Sequence, residues 1–190
     1  MLNRKENNLR TFMQLKRFEM ENIIDAGAGF YLRPLKETDT FMLKPLLEDD
    51  ESVTYFTERD YKNFHDTKSL VLWLCESGEY FLLVHERDGI VAGIAGLRPV
   101  KERKGVKRLA YMLGKKYRGK GIMPDVIDSV TRHAFENPET EVIEAAIRPD
   151  NIKSLRCIEK AGYSFDRIVE REDDEQKSRK LIYTMRRDEL

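Results

Sequence analysis

The sequence predicts a mixed α/β fold in which a sheet is flanked by helices, and three features predict it. Stretches with strand patterning outnumber those with helical periodicity. Two apolar runs, YFLLVHE and IVAGIAGLRPV, are separated by Arg87-Asp88-Gly89, and Asp-Gly is a strong short-range hairpin signal. Farther along, strand-like and helical stretches alternate, which adds strand–helix–strand units to the hairpins and makes the sheet mixed.

In chain order, residues 1–29 read as an added helix. Leu9, Phe12, Met13, Met20, Ile23 and Ile24 recur at helical spacing, and Asp25-Ala26-Gly27-Ala28-Gly29 supplies C-terminal punctuation. Its apolar stripe needs a partner, either the rest of the domain or a second copy of the chain in a homodimer. The main domain, residues 30–190, opens with a strand (FYLRPL), a helix from Asp39 through Glu48 and a polar, aromatic-rich stretch through Phe64. A helix opened by Thr67 follows, with Leu70, Val71, Trp73 and Leu74 turned inward. After the hairpin comes the strand RLAYMLG, then a loop, then a helix marked by Ile122, Val126, Ile127, Val130 and Ala134 that stops before Asn137-Pro138. The remainder reads strand (EVIEAAI), helix (Asn151 to Ala161), strand (GYSFDRIVE), acidic turn (Glu172 to Glu175) and strand (KLIYTMRR).

Composition narrows the functional classes. With 190 residues, 41% of them hydrophobic, the chain is long enough to bury one core. The 34 Lys and Arg cancel the 34 Asp and Glu, so no global charge points to nucleic acid or an anionic membrane. No apolar run approaches the roughly 18 residues of a membrane span, and the N-terminal stretch lacks the apolar centre of a signal peptide, so a cytoplasmic protein is expected. Cys75 and Cys157 are far apart, without metal-ligand spacing, and read as reduced core thiols. No metal site is expected.

The loop LGKKYRGKGIMP carries the chemistry. A glycine-rich loop that opens a helix exposes N–H groups without intrahelical partners, where the helix dipole adds positive charge, so the segment from Arg118 to Met123 is predicted to bind an anion. Gly119 and Gly121 permit positive φ, and Pro124 suits a first helical turn. Residues 114–120 also fit a phosphate-binding Walker loop up to its final position, where Gly121 replaces the Ser or Thr that would ligate magnesium. Nucleotide binding therefore ranks low.

Tyr117-Arg118-Gly119-Lys120-Gly121-Ile122-Met123 resembles the pyrophosphate motif of the GNAT superfamily of N-acetyltransferases, R/Q-x-x-G-x-G/A, with Met123 departing from the usual small residue. Asn151-Ile152-Lys153-Ser154, followed by Lys160-Ala161-Gly162-Tyr163, resembles the family's second motif. The resemblance spans residues 30–187 and is nearest to the RimJ/RimL-like branch, which includes ribosomal-protein N-terminal acetyltransferases. It implies a mostly antiparallel sheet, splayed between the parallel strands RLAYMLG and EVIEAAI, with helices on both faces. It also implies acetyl-coenzyme A as co-substrate and direct acetyl transfer to an amine, that of a peptide or protein N terminus or a small molecule. Arg118, Gly119, Lys120, Gly121, Ile122 and Met123 would then hold the pyrophosphate, Asn151 the pantetheine arm, and the Leu113 N–H would polarise the thioester carbonyl.

The catalytic groups are less legible. Many members place a Tyr where this chain has Ile158, which leaves Ser154, predicted beside the cofactor sulfur, as the candidate to stabilise the thiolate; its ordinary role would be helix capping. Arg108-Leu109-Ala110-Tyr111 stands where the family often has Glu-Ile-Gly-Tyr, so the usual strand acid is absent. Glu144, on the same alternating face as Val142 and Ala146, is the candidate base, with Glu170 and Tyr183 behind it. His65, His85 and His133 lack triad or metal-ligand context. Ten Lys or Arg against one acid, Glu102, between Arg98 and Gly121 suit a polyanionic cofactor, and would suit a ribosome or RNA surface equally. An acetyltransferase leads; a silent acyl-coenzyme A-binding domain is the alternative.

Overall fold

The computed structural model describes residues 23–47, 66–173 and 176–190. Eight strands form one sheet in the order β1-β2-β3-β4-β5-β6-β8-β7. They are β1 (Ile24–Asp25), β2 (Phe30–Pro34), β3 (Glu79–His85), β4 (Val91–Pro99), β5 (Val106–Leu113), β6 (Val142–Ile147), β7 (Ser164–Asp173) and β8 (Gln176–Arg186). All neighbours are antiparallel except β5 and β6. Among the described residues four α-helices accompany them: α1 (Thr40–Leu47), α2 (Thr67–Ser77), α3 (Ile122–Glu136) and α4 (Ile152–Lys160).

Strand alternation sorts the sheet into two cores, as the two-faced expectation required. Phe81, Leu83, Ala95, Leu97, Leu109, Ile143 and Ala145 pack against Val126, Ile127 and Val130 of α3 and Ile158 of α4. From the other face Tyr80, Leu82, Val84, Ile94 and Met112 meet Leu43, Leu46 and Leu47 of α1 and Leu70, Val71 and Leu74 of α2. The run YFLLV is apolar throughout because β3 is covered on both sides. Asp66, one residue before the expected opening, caps α2 by accepting the Ser69 N–H at 2.7 Å. Trp73 is half-buried at the edge of its core, beneath the Arg98 guanidinium at 5.6 Å.

The N-terminal expectation needs correction. Residues 1–22, the bulk of the predicted added helix, lie outside the described residues, as do the stretch around Phe64 and His65. Ile24, however, is in a strand: β1 pairs with β2 through Ile24↔Leu32 and Asp25↔Tyr31. Asp25 to Gly29 is therefore a hairpin turn, closed by Phe30 N–H to the Gly27 carbonyl at 2.9 Å, with Gly27, Ala28 and Gly29 all at positive φ. A glycine-rich stretch serves a helix C terminus and a hairpin equally well, and the buried Ala26, 1% exposed, joins the main core. The sheet thus begins at Ile24 rather than Phe30. At the other end the acidic turn is shorter than expected, because β7 and β8 stay paired as far as Asp173↔Gln176.

Candidate active site

The site begins where the sheet divides. β5 and β6 pair in parallel from Val106↔Val142 to Leu109↔Ala145 and then part. β5 remains paired with β4 up to Leu113↔Gly93, while β6 remains paired with β8 up to Ile147↔Leu181, so each half keeps its own ladder across a widening gap. N–H directions alternate along a strand. Gly114 N–H donates to the Ala92 carbonyl of β4 at 2.8 Å, which turns the Leu113 N–H toward the gap. The Leu113 carbonyl, on that same side, accepts Arg118 Nε at 2.9 Å.

At the mouth of the gap the chain makes a short 3-10 turn, Lys115–Tyr117, and reaches α3 through Arg118 to Gly121. Gly119 has φ +73°, and Gly121, the residue that caps α3, has φ +77°. Nothing lies within 4 Å of where a Cβ would stand on either glycine, so the space in front of the loop is open, and the left-handed backbone favours glycine. The Gly119, Lys120 and Gly121 N–H groups make no backbone hydrogen bond among the described residues. With the first-turn amides of Ile122 and Met123, they form an anion cradle at the N terminus of a 15-residue helix. The predicted donor set loses one member: Arg118 N–H donates to the Lys115 carbonyl at 3.3 Å because it closes the 3-10 turn. Met123 and Ile122 point into the core, which explains how a large residue fits the motif.

Across the gap, Asn151 caps α4, its Oδ1 accepting the Ser154 N–H at 3.2 Å. The cap is thus Asn151, not Ser154, and the Asn151 amide NH2 remains for a ligand. Ser154 instead meets Tyr111 of β5, hydroxyl to hydroxyl at 2.6 Å. Tyr111 was missed as a site residue by the sequence, although its polar tip in a largely apolar strand needed a partner. Burial pushes its pKa well above the usual tyrosine value, against the pull of the Ser154 hydrogen bond, so it is a protonated donor at neutral pH. Ile158, in the position of the common Tyr, is fully buried.

Glu144 does not fit the role of base. It is 0% exposed, and both carboxylate oxygens are occupied: Arg108 Nε and Nη2 donate to Oε1, Arg103 Nη1 and Arg167 Nη2 to Oε2. Burial alone would raise its pKa, but the hydrogen bonds and charge of Arg108, with the bonds from Arg167 and Arg103, outweigh that and hold it below the ordinary glutamate value. A carboxylate held ionised by three guanidinium groups is a poor proton acceptor. The reserve candidates are also engaged, Tyr183 with Glu159 at 2.9 Å and Glu170 with Arg179 at 3.8 Å. His85 pairs with Asp88 at 2.9 Å, and His133 with Glu79 at 2.8 Å.

Seven of the ten cations between Arg98 and Gly121 have partners within the fold. Arg103 and Arg108 hold Glu144, Lys107 lies 3.9 Å from Glu79, and Arg118 holds Leu113. Arg98 lies over Trp73, and Lys116 and Lys120 over the Tyr117 ring. Among the described residues no cluster of His, Cys, Asp and Glu is placed to hold a metal ion, and no helix is long and apolar enough to cross a membrane. Both cysteines are free.

A sheet split at its parallel pair, with amides at the mouth that have no backbone partner among the described residues, has the shape and polarity that suit an extended ligand with an anionic tail. The GNAT acetyltransferase domain model matches residues 30–164, well over half of the chain, and the chain belongs to that family. A probable N-acetyltransferase of Bacillus subtilis strain 168, YjcK, is 24% identical over 153 residues, covering 75% of this chain and 84% of that protein. Two solved structures share the fold. AAC(6′)-Ib in complex with paromomycin and acetyl-coenzyme A superposes with a TM-score of 0.70 at 20% identity, over 85% of this chain and 95% of that one. The ribosomal-protein-S5-alanine acetyltransferase of Vibrio fischeri superposes with a TM-score of 0.71 at 17% identity, over 87% and 97%.

Proposed function

We propose that the protein transfers an acetyl group directly from acetyl-coenzyme A to a primary amine of low basicity, such as the α-amine of a peptide or protein N terminus. The observation that carries this reading is the inward Leu113 N–H in a strand gap whose mouth bears the Gly119–Met123 amides. Family membership and the acetyl-coenzyme A complex of AAC(6′)-Ib support it.

Acetyl-coenzyme A supplies the acyl group as an activated thioester. The amides of Gly119 to Met123 bind its pyrophosphate, and the helix dipole of α3 adds to their field. The Asn151 amide NH2 holds the pantetheine arm in the gap. Leu113 N–H donates to the thioester carbonyl oxygen, where negative charge develops during attack. Ser154 O–H donates a hydrogen bond toward the departing sulfur, and Tyr111, protonated and 2.6 Å from the Ser154 oxygen, orients that hydroxyl.

The acceptor must arrive as a neutral amine, and Glu144 is not available to deprotonate it. An α-amine of pKa near 7.8 loses its proton at pH 7 for about 1 kcal/mol, whereas a lysine near 10.4 requires about 4.6 kcal/mol, at 1.36 kcal/mol per pKa unit. The smaller sum needs only water. Paired peptides test this: one with a free α-amine and blocked lysine, the other reversed, with thiol release followed at pH 7. Faster release with the α-amine peptide is expected; faster release with the lysine peptide would refute the preference. Coenzyme A binding with no thiol release from any amine would leave a silent acyl-coenzyme A-binding domain.

A further inference from the structure

We infer that the acceptor carries a carboxylate close to its reactive amine, and that Arg103, Arg108 and Arg167 bind it. This inference rests on the acetyltransferase reading and adds the acceptor's chemistry to it. The amide cradle and α4 lie on the α3/α4 side of the sheet, so a thioester entering the gap from there presents its acyl carbon toward the opposite face, that of α1 and α2. Glu144 and its arginines are on that opposite face. Arg108↔Glu144 is the penultimate pair before β5 and β6 part; Ala110, the next residue of β5 on that face, is about 7 Å farther along, and Leu113, whose N–H would hold the thioester carbonyl, about 17 Å, a span shared by the arginine side chains, the acyl group and an amine with a neighbouring carboxylate. Ala110 and Ala146 keep the edges of the gap small.

The cluster exceeds what Glu144 needs. Four N–H groups already fill the carboxylate, and a fully satisfied single anion leaves the three guanidinium groups with a surplus of positive charge. Those side chains are not buried: Arg103 is 39% exposed, Arg108 26% and Arg167 38%. Arg103 Nη2 and Arg108 Nη1 make no hydrogen bond among the described residues. Asp166 pairs with Arg167 and offsets part of the charge.

Strand irregularity points the same way. β7 shifts register between Phe165 and Arg167, so that Arg167, not Asp166, is opposite Ile182 and shares a face with Glu144. An unbulged strand would place an aspartate there. The bulge therefore exchanges a negative for a positive side chain beside the gap. Glu144 acts as a positioning residue that holds three guanidinium groups in a fan, and a second carboxylate completes their donors with charge-assisted hydrogen bonds. A polycationic acceptor would be repelled from this floor.

The test uses two matched pairs, which distinguish the sources of the carboxylate: a free amino acid against its amide, and a peptide beginning with Asp against one beginning with Asn. Acetyl transfer is measured by thiol release, and acceptor binding by calorimetry on the protein saturated with coenzyme A. In at least one pair the carboxylate member is expected to bind and react better by about ten-fold or more. Arg167→Gln and, separately, Arg103→Gln should collapse that ratio toward one, with Arg167→Lys restoring part of it and acetyl-coenzyme A KM unchanged. Equal binding and turnover within both pairs, a ratio unmoved in both glutamine variants, or faster transfer to kanamycin than to the acidic acceptors would each overturn the inference. Preferential binding of the carboxylate member without thiol release would sustain it while removing the transferase reading.

Discussion

Replacing Glu144 by Gln keeps its shape and removes its charge, and the structure sets the size of the effect. Three guanidinium groups then face one another across an amide that can accept but not neutralise, and that must turn its NH2 toward one of them. Breaking a buried charged network by removing one partner destabilises by about 3–5 kcal/mol. Arg103, Arg108 and Arg167 each keep a quarter or more of their surface in solvent, which screens their repulsion and lowers the expectation to roughly 2–3 kcal/mol. For a chain of this size that is a fall in Tm of about 4–12 °C. The pH dependence has a definite sign. A carboxyl whose folded pKa is depressed contributes stability above its unfolded pKa and loses it as pH falls through the folded value. Urea unfolding of parent and Glu144→Gln at pH 7 and at steps down through pH 3 should show a gap that narrows as the parent's Glu144 protonates. Equal midpoints at pH 7 would refute the claim that Glu144 neutralises this cluster. The acidic limb of kcat/KM should keep its pKa in the variant, because a carboxylate whose proton affinity three guanidinium groups lower is too weak a base to take the amine's proton; a shifted or lost acidic limb would restore Glu144 as base.

Ser154→Ala should lower kcat with little change in acetyl-coenzyme A KM, and Ser154→Ala with Tyr111→Phe should cost little more than Ser154→Ala alone, because the two hydroxyls act through one hydrogen bond. Fully additive losses would show that they act separately. Gly121→Asn, tolerated at positive φ, should weaken coenzyme A binding by calorimetry while the protein stays folded, and Gly121→Val should add backbone strain; unchanged affinity in a folded variant would remove the loop from the site. His133 titrates above the usual histidine value, first through its hydrogen bond to Glu79, against desolvation. Its contribution is full below the unfolded pKa near 6.5 and is lost as pH rises through the folded pKa, so Glu79→Gln should lower the NMR-measured His133 pKa.

Legibility in the sequence followed range. Hairpins, helices and the anion loop rest on neighbours a few residues apart, and β3–β4, α3 and α4 fall within a residue or two of their predicted bounds. The Gly27–Gly29 segment was misread because its chemistry permits two outcomes and the choice lay with β2 and the core around Ala26. The helix cap fell to Asn151 and not to Ser154, because capping is decided by backbone angles at one residue, not by which side chains are present.

Sequence alone determined the mixed sheet, the order of its elements and the glycine loop that opens α3, since periodicity, turn chemistry and positive φ are local properties. It also placed Leu113, Gly121 and Asn151 on elements that meet. What only the tertiary structure decided is which partners surround the polar groups of the site. Arg103, Arg108 and Arg167 reach Glu144 from 41, 36 and 23 residues away, and Tyr111 reaches Ser154 from 43. A carboxylate becomes a base or a buried counter-ion according to which cations surround it, and these came from three separate stretches of the chain.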